Sequence, residues 1–142
     1  MIKYISLVFT AVILVFAFAK ANQNPYTSQD PLEESIKRGA VVYSEYCIQC
    51  HLGQGEGVPG TFPPLAKSDW LLPEKREAAI GVIKYGQSGA IQVNGVTYNS
   101  AMAALGLYDD EVADVMNYIL NNWGNSSDKM VTEEEVKKIE KK

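Results

Sequence analysis

The sequence predicts an all-α, single-domain protein threaded with long loops, and three observations carry that prediction. Two stretches place apolar residues at helical intervals: Leu32, Ile36, Ala40 and Tyr43 early in the chain, and Val112, Val115, Met116, Ile119, Leu120 and Trp123 later. Only the segment from Ala90 to Tyr98 alternates as a strand would, and it does so weakly. At 142 residues, 46% hydrophobic and 21% charged, the chain has enough apolar material for one core and little for a second. The same figures exclude a disordered acidic chain and a basic nucleic-acid binder. Two cysteines, three positions apart, exclude a scaffold of several disulfides.

The elements follow in order. Lys3, the apolar run from Ile5 to Ala19 and the small-x-small pattern Ala19-Lys20-Ala21 have the three-part layout of a secretory signal peptide, residues 1–21. Fifteen apolar-rich residues fall short of the roughly 20 needed to span hydrocarbon, so cleavage after Ala21 is expected, the alternative being an uncleaved segment that anchors the chain to the membrane. Removing this segment takes away Lys3 and Lys20 and leaves eleven basic against seventeen acidic residues, a net charge of −6. That balance disfavours anionic polymers and suits protein partners with a basic docking face.

Residues 22–31 form a polar lead-in, and Pro31 opens a helix expected to reach about Tyr46, with Glu33 and Glu34 in its first turn. Gly53, Gly55, Gly57 and Gly60 with Pro59, Pro63 and Pro64 make the next stretch a loop. No apolar strand precedes it, which excludes a phosphate cradle. Short helices are expected over 68–72 and 74–84, and the Asn94-Gly95 region reads as a small hairpin or an irregular loop. The strongest helix prediction spans Asp109 to Trp123, with three acidic residues at its start and Gly124 at its exit. Thr132-Glu133-Glu134-Glu135 matches a capping box that opens a short helix in a charged tail, residues 125–142.

Cys47-Ile48-Gln49-Cys50-His51 is the attachment sequence for a c-type haem. Two thiols on one turn of chain can add to the two vinyl groups of one porphyrin, and the next residue places an imidazole beneath the iron. A zinc site needs about four protein ligands, and only these three side chains of the right kind are present. A thioredoxin-like pair expects a strand-helix setting in a parallel sheet, and a plain disulfide leaves His51 unexplained. One covalent haem c is therefore expected, attached through Cys47 and Cys50, with His51 as the proximal iron ligand.

With those residues in place, the chain resembles class I monohaem cytochromes c over residues 32–124. Phe62-Pro63-Pro64-Leu65, Ser68-Asp69-Trp70-Leu71, Val93-Asn94-Gly95, Tyr98-Asn99 and Trp123-Gly124-Asn125 are similar to a bacterial subgroup. That subgroup includes haem domains or partner cytochromes of copper nitrite reductases and periplasmic alcohol dehydrogenases. The resemblance implies a cytochrome c-like fold in which the N- and C-terminal helices cross, with Gly39, Tyr43, Val115 and Tyr118 at the crossing.

It also implies a backbone contact from the carbonyl of Pro63 to His51. A single histidine rules out two imidazole ligands on one iron, which leaves methionines for the distal side. Met116 lies on the apolar stripe and Met130 in the polar tail, and the resemblance points to Met102 as the distal iron ligand. Relatives often carry proline after that methionine, whereas Ala103 stands here, which is expected to loosen the loop. Trp70 and Tyr98 are read as core aromatics within reach of a haem.

The function expected is single-electron transfer in the periplasm between donor and acceptor oxidoreductases, with no catalytic residues, no nucleic acid and no enzyme activity of its own. The alternative is an obligate haem c subunit of a periplasmic oxidoreductase complex of the nitrite reductase or alcohol dehydrogenase type.

Overall fold

A computed structural model describes residues 30–141; the expected signal peptide and most of the lead-in lie outside them. Helix α1 spans Pro31–Tyr46. The Asp30 carboxylate accepts the Leu32 N–H at 3.0 Å, proline fills the first helical position, and Glu33 and Glu34 face the positive end of the helix dipole. Its buried face is Ser35, Gly39, Val42 and Tyr43. A single turn, α2, covers Ile48–His51. Two 3-10 turns, Asp69–Leu71 and Pro73–Lys75, lead into α3, Arg76–Tyr85.

The segment left open between hairpin and loop is a hairpin, β1 Ile91–Val93 paired antiparallel with β2 Val96–Tyr98. Asn94 and Gly95 both take positive φ, 51° and 80°, the pair of conformations a two-residue turn with the right twist needs. The fold is therefore mostly helical with one two-stranded ribbon.

Helix α4 runs Asp109–Leu120 and stops three residues before the predicted end at Trp123. Asparagine side chains intervene: the amides of Asn121 and Asn122 donate to the carbonyls of Asn117 and Tyr118 at 2.9 and 2.7 Å, and Asn125 donates to Ile119 at 2.9 Å. These bonds satisfy the carbonyls that one more helical turn would have used. Trp123 then adopts φ 53°.

The core is the crossing of α1 with α4, to which α3 and the tail add. A Cβ at Gly39 would land on the Asp114 carbonyl, so glycine is what lets the two backbones touch. Beside the crossing, Arg38 donates two hydrogen bonds to the Asp114 carboxylate at 2.6 and 2.7 Å, and the Ser35 hydroxyl donates a third at 2.6 Å.

Residues 125–141 pack into the same core. Val131 and Val136 are fully buried among α4 side chains. The Asn117 amide takes up both backbone groups of Val131, accepting its N–H at 2.7 Å and donating to its carbonyl at 2.9 Å. Thr132 caps α5, Glu133–Lys137, through the Glu135 N–H at 3.2 Å. The Arg76 guanidinium binds both oxygens of Glu135, at 2.6 and 2.9 Å, and the carbonyls of Lys129 and Met130. At the other end of α3, Lys84 donates to the Val136 carbonyl at 2.9 Å and the Tyr85 hydroxyl to that of Ile139 at 2.8 Å. The tail thus straps α3 at both ends.

Candidate functional site

Helix α1 delivers the motif. It ends at Tyr46, Cys47 serves as its C-cap, and the Cys50 and His51 amides fold back to the Cys47 carbonyl at 3.1 and 3.0 Å. Both thiols and the imidazole are therefore presented from one tight turn. Leu52 then takes φ 63° and ψ 173°, a conformation otherwise almost confined to glycine and costing about 1–3 kcal/mol. Two bonds hold it there: its N–H donates to the Ile48 carbonyl at 2.9 Å, and its carbonyl accepts the Tyr43 hydroxyl at 2.7 Å.

The Tyr43 ring sits in a triad with Tyr118 and Trp123, ring centres 4.9–5.4 Å apart. Sequence reading placed Tyr43 at the helix crossing but missed its hydroxyl contact, because the partner is a backbone carbonyl that no residue type reveals.

The imidazole is aimed by the loop that follows. His51 Nδ1 lies 2.9 Å from the Pro63 carbonyl, where the ring N–H donates and Nε2 is left with its lone pair free. Burial pushes the His51 pKa down, with the Pro63 carbonyl opposing, so the ring is neutral at pH 7 and suited to ligate a metal. The Pro63 loop is itself pinned. Val58 and Phe62 exchange backbone hydrogen bonds at 2.8 Å, and the Gly55 carbonyl accepts the amides of Leu65 and Ala66 at 2.7 and 2.8 Å.

His51, Cys47 and Cys50 open onto a cavity of about 320 Å³ that Met102 also lines. Its other walls are mostly apolar, including Phe62, Leu65, Ile83, Val93 and Ile119. Met116, read from the sequence as core packing, is buried in α4 and also reaches this wall, whereas Met130 does not line it. Trp70 and Tyr98 line it as well; the Trp70 indole N–H donates to the Gln92 carbonyl at 2.6 Å and so ties the hairpin to the preceding loop.

A second tie lies alongside: the Asp69 and Asn94 side chains each accept the other's backbone N–H at 2.9 Å. The Asp69-Trp70 and Asn94-Gly95 segments, singled out separately in the sequence, are thus two halves of one clasp. Lys75 and the Asn94 amide hold the Asp69 carboxyl below its usual range.

The donor set suits a flat, apolar, iron-bearing ring. Among the described residues no three His, Cys, Asp or Glu side chains converge on a metal-sized point, so a zinc site has no geometry. Burial pushes the Cys47 thiol up to about 11, the opposite of what a reactive redox pair requires. Two thiols, a neutral imidazole and a thioether around an apolar slot leave porphyrin attachment as the chemistry the cavity fits.

Comparison with known proteins points the same way. The family model described as cytochrome c matches residues 36–123. The chain is 42% identical over 112 residues to cytochrome c-552 of Thermus thermophilus, covering 73% of this chain and 85% of that protein. It is 32% identical over 105 residues to the cytochrome c subunit of the quinone alcohol dehydrogenase of Gluconobacter oxydans, covering 71% of this chain and 21% of that subunit. Against the gluconate 2-dehydrogenase cytochrome c subunit of Pantoea cypripedii it is 28% identical over 129 residues, covering 85% and 29% respectively.

Proposed function

Since the chain belongs to the cytochrome c family, and on that ground is an electron-transfer protein rather than an enzyme, we propose that it carries one haem c and works outside the cytoplasm as a single-electron carrier. In this reading Cys47 and Cys50 supply the two thioether bonds, His51 the proximal nitrogen and Met102 the distal sulfur. The observation that carries it is the turn that presents both thiols and an imidazole, aimed by the Pro63 carbonyl, into an apolar cavity shared with a methionine.

Haem bound there supplies one-electron exchange between ferrous and ferric iron. The protein does the rest. The Pro63 carbonyl fixes the His51 ring and makes its free nitrogen more basic. With iron bound, the Met102 thioether would favour the reduced state and raise the potential, and together with His51 it would leave no site on the metal open to a substrate. The apolar walls keep water from the ring, which favours the less charged state.

Redox partners are donor and acceptor oxidoreductases; an acidic chain of net charge −4, −6 without residues 1–21, favours partners with a basic docking face. The N-terminal layout supports export to the periplasm, and among the described residues no helix is long and apolar enough to cross a membrane.

A second reading, an obligate haem subunit of a dehydrogenase complex, draws on the relatives that are cytochrome c subunits of quinone alcohol and gluconate dehydrogenases. Identity favours the carrier: 42% to the Thermus cytochrome against 32% and 28% to those subunits.

The test is Met102→Ala in the haem-loaded protein. The variant should lose the long-wavelength methionine-to-iron band of the ferric form, show a lower potential and bind carbon monoxide when reduced. Strong carbon monoxide binding by the unaltered reduced protein would overturn the carrier reading in favour of an open-site haem.

A further inference from the structure

Ala103 stands where relatives often carry a proline, which was expected to loosen the distal loop, yet Met102 is held at both of its backbone groups. Its N–H donates to the Gln87 carbonyl and its carbonyl accepts the Gln87 N–H, each at 2.8 Å. This two-bond bridge closes residues 88–101, hairpin included, into a loop whose exit is tied again where the Ser100 hydroxyl donates to the Thr61 carbonyl at 2.6 Å. The bridge is made by the Gln87 backbone, while its side-chain amide donates to the Ser88 carbonyl at 3.0 Å.

The bridge is possible because of the residue before it. Gly86 caps α3 with φ 81° and ψ 176°, a conformation essentially confined to glycine. Its N–H closes the helix on the Val82 carbonyl at 2.9 Å, and the chain then turns straight into the bridge. A Cβ on Gly86 would sit 2.6 Å from the Met102 carbonyl oxygen, 2.8 Å from the Ala104 nitrogen and 3.1 Å from the Ala103 carbonyl carbon. All three are backbone atoms of the distal loop, so no side chain can swing aside to make room.

The platform behind Gly86 is firm. Ile80 and Ile83 of α3 are buried in the core, and Lys84 and Tyr85 are bonded to tail carbonyls.

We propose that Gly86 and the Gln87 backbone are the positioning device for the Met102 sulfur, taking the place of a proline after the methionine. This rests on the reading of Met102 as the distal ligand. Helix α3 fixes where Gly86 lies, the absence of a Cβ lets the distal loop close against it, and the paired hydrogen bonds set the register at which the thioether enters the cavity.

The test uses the haem-loaded full chain and reads the ferric methionine-to-iron band and the affinity for added imidazole, which competes with the thioether. Gly86→Ala and Gln87→Pro should each weaken the band and raise imidazole affinity about tenfold, as expected for strain confined to one loop. Gln87→Pro removes the N–H half of the bridge, with the ψ of Gly86 suited to a following proline, and it keeps the test decisive if Gly86→Ala loads haem poorly.

The control is Gly89→Ala. Gly89 shares the positive φ, 88°, but a Cβ there meets nothing within 4 Å. This control should stay within about twofold of the unaltered protein. Equal effects at Gly86 and Gly89, or none from either Gly86→Ala or Gln87→Pro, overturn the proposal while leaving Met102 as ligand. A band that survives Met102→Ala overturns the ligand reading itself and the proposal with it.

Discussion

Asn117→Ala is the substitution whose cost the structure predicts most fully. The side chain is completely buried and makes three hydrogen bonds: it donates to the Ser35 hydroxyl at 2.8 Å and the Val131 carbonyl at 2.9 Å, and accepts the Val131 N–H at 2.7 Å. Truncation leaves both backbone groups of Val131, itself fully buried, without partners. Each orphaned group costs about 1–3 kcal/mol, so the pair costs about 4 kcal/mol before the small void is counted. That is a large part of the roughly 5–15 kcal/mol that holds a domain together.

Urea denaturation of the haem-loaded protein measures the loss, and hydrogen exchange locates it: the Val131 amide should exchange much faster while amides of α1 stay protected. Ser35→Ala loses the bonds to both Asn117 and the Asp114 carboxylate but spares Val131, so it should cost about 2–3 kcal/mol while the Val131 amide stays protected. A loss below about 1 kcal/mol for Asn117→Ala, or an unchanged Val131 amide, would refute the claim that this side chain fastens the tail.

Other outcomes follow from the same geometry. Gly39→Ala forces α1 and α4 apart at their closest point and should cost about 3 kcal/mol or more by thermal denaturation, whereas Gly53→Ala, with open space at its Cβ, should change little. The Arg76 guanidinium holds the Glu135 carboxyl below the ordinary range of a glutamate, so the folded form binds that proton less readily than the unfolded chain. The stability this contributes is present above about pH 4.5 and is lost as the pH falls through the lowered folded value. Stability measured from about pH 6 down to about pH 3 should therefore fall more steeply in the unaltered protein than in Glu135→Gln. Finally, the chain with Cys47→Ala and Cys50→Ala, prepared without haem, should give no cooperative melt by far-UV circular dichroism. An unfilled apolar cavity of about 320 Å³ costs up to about 8 kcal/mol at ~24 cal/mol per Å³, comparable with the whole stability of a domain.

The parts legible in the sequence were those written in local patterns. Helix α1 occupies Pro31–Tyr46 because its start signal and apolar spacing are both local, and Asn94-Gly95 marks its turn by conformational preference alone. Composition and spacing also brought out Cys47, Cys50 and His51, and the cytochrome c family to which the chain belongs was legible from them.

Missed were the contacts made by groups that carry no sequence signal. Nothing local says that the Tyr43 hydroxyl reaches the Leu52 carbonyl, that Asn117 holds Val131, or that Gln87 pairs with Met102 across the hairpin. The helix end at Leu120 was overshot because periodicity continues to Trp123, while three asparagine amides compete for the carbonyls. The charged residues of 125–141 marked a charged tail; of its four large apolar residues, Met130, Val131, Val136 and Ile139, Val131 and Val136 are fully buried and Ile139 packs against the core.

One measurement bears on the central claim more directly than any other, the intact mass of the exported protein together with a pyridine haemochrome spectrum. A mass raised by a single haem, no titratable thiol at Cys47 or Cys50, and the spectrum of a twice-thioether-linked porphyrin are predicted. A colourless protein with the mass of the bare polypeptide and two free thiols would contradict it.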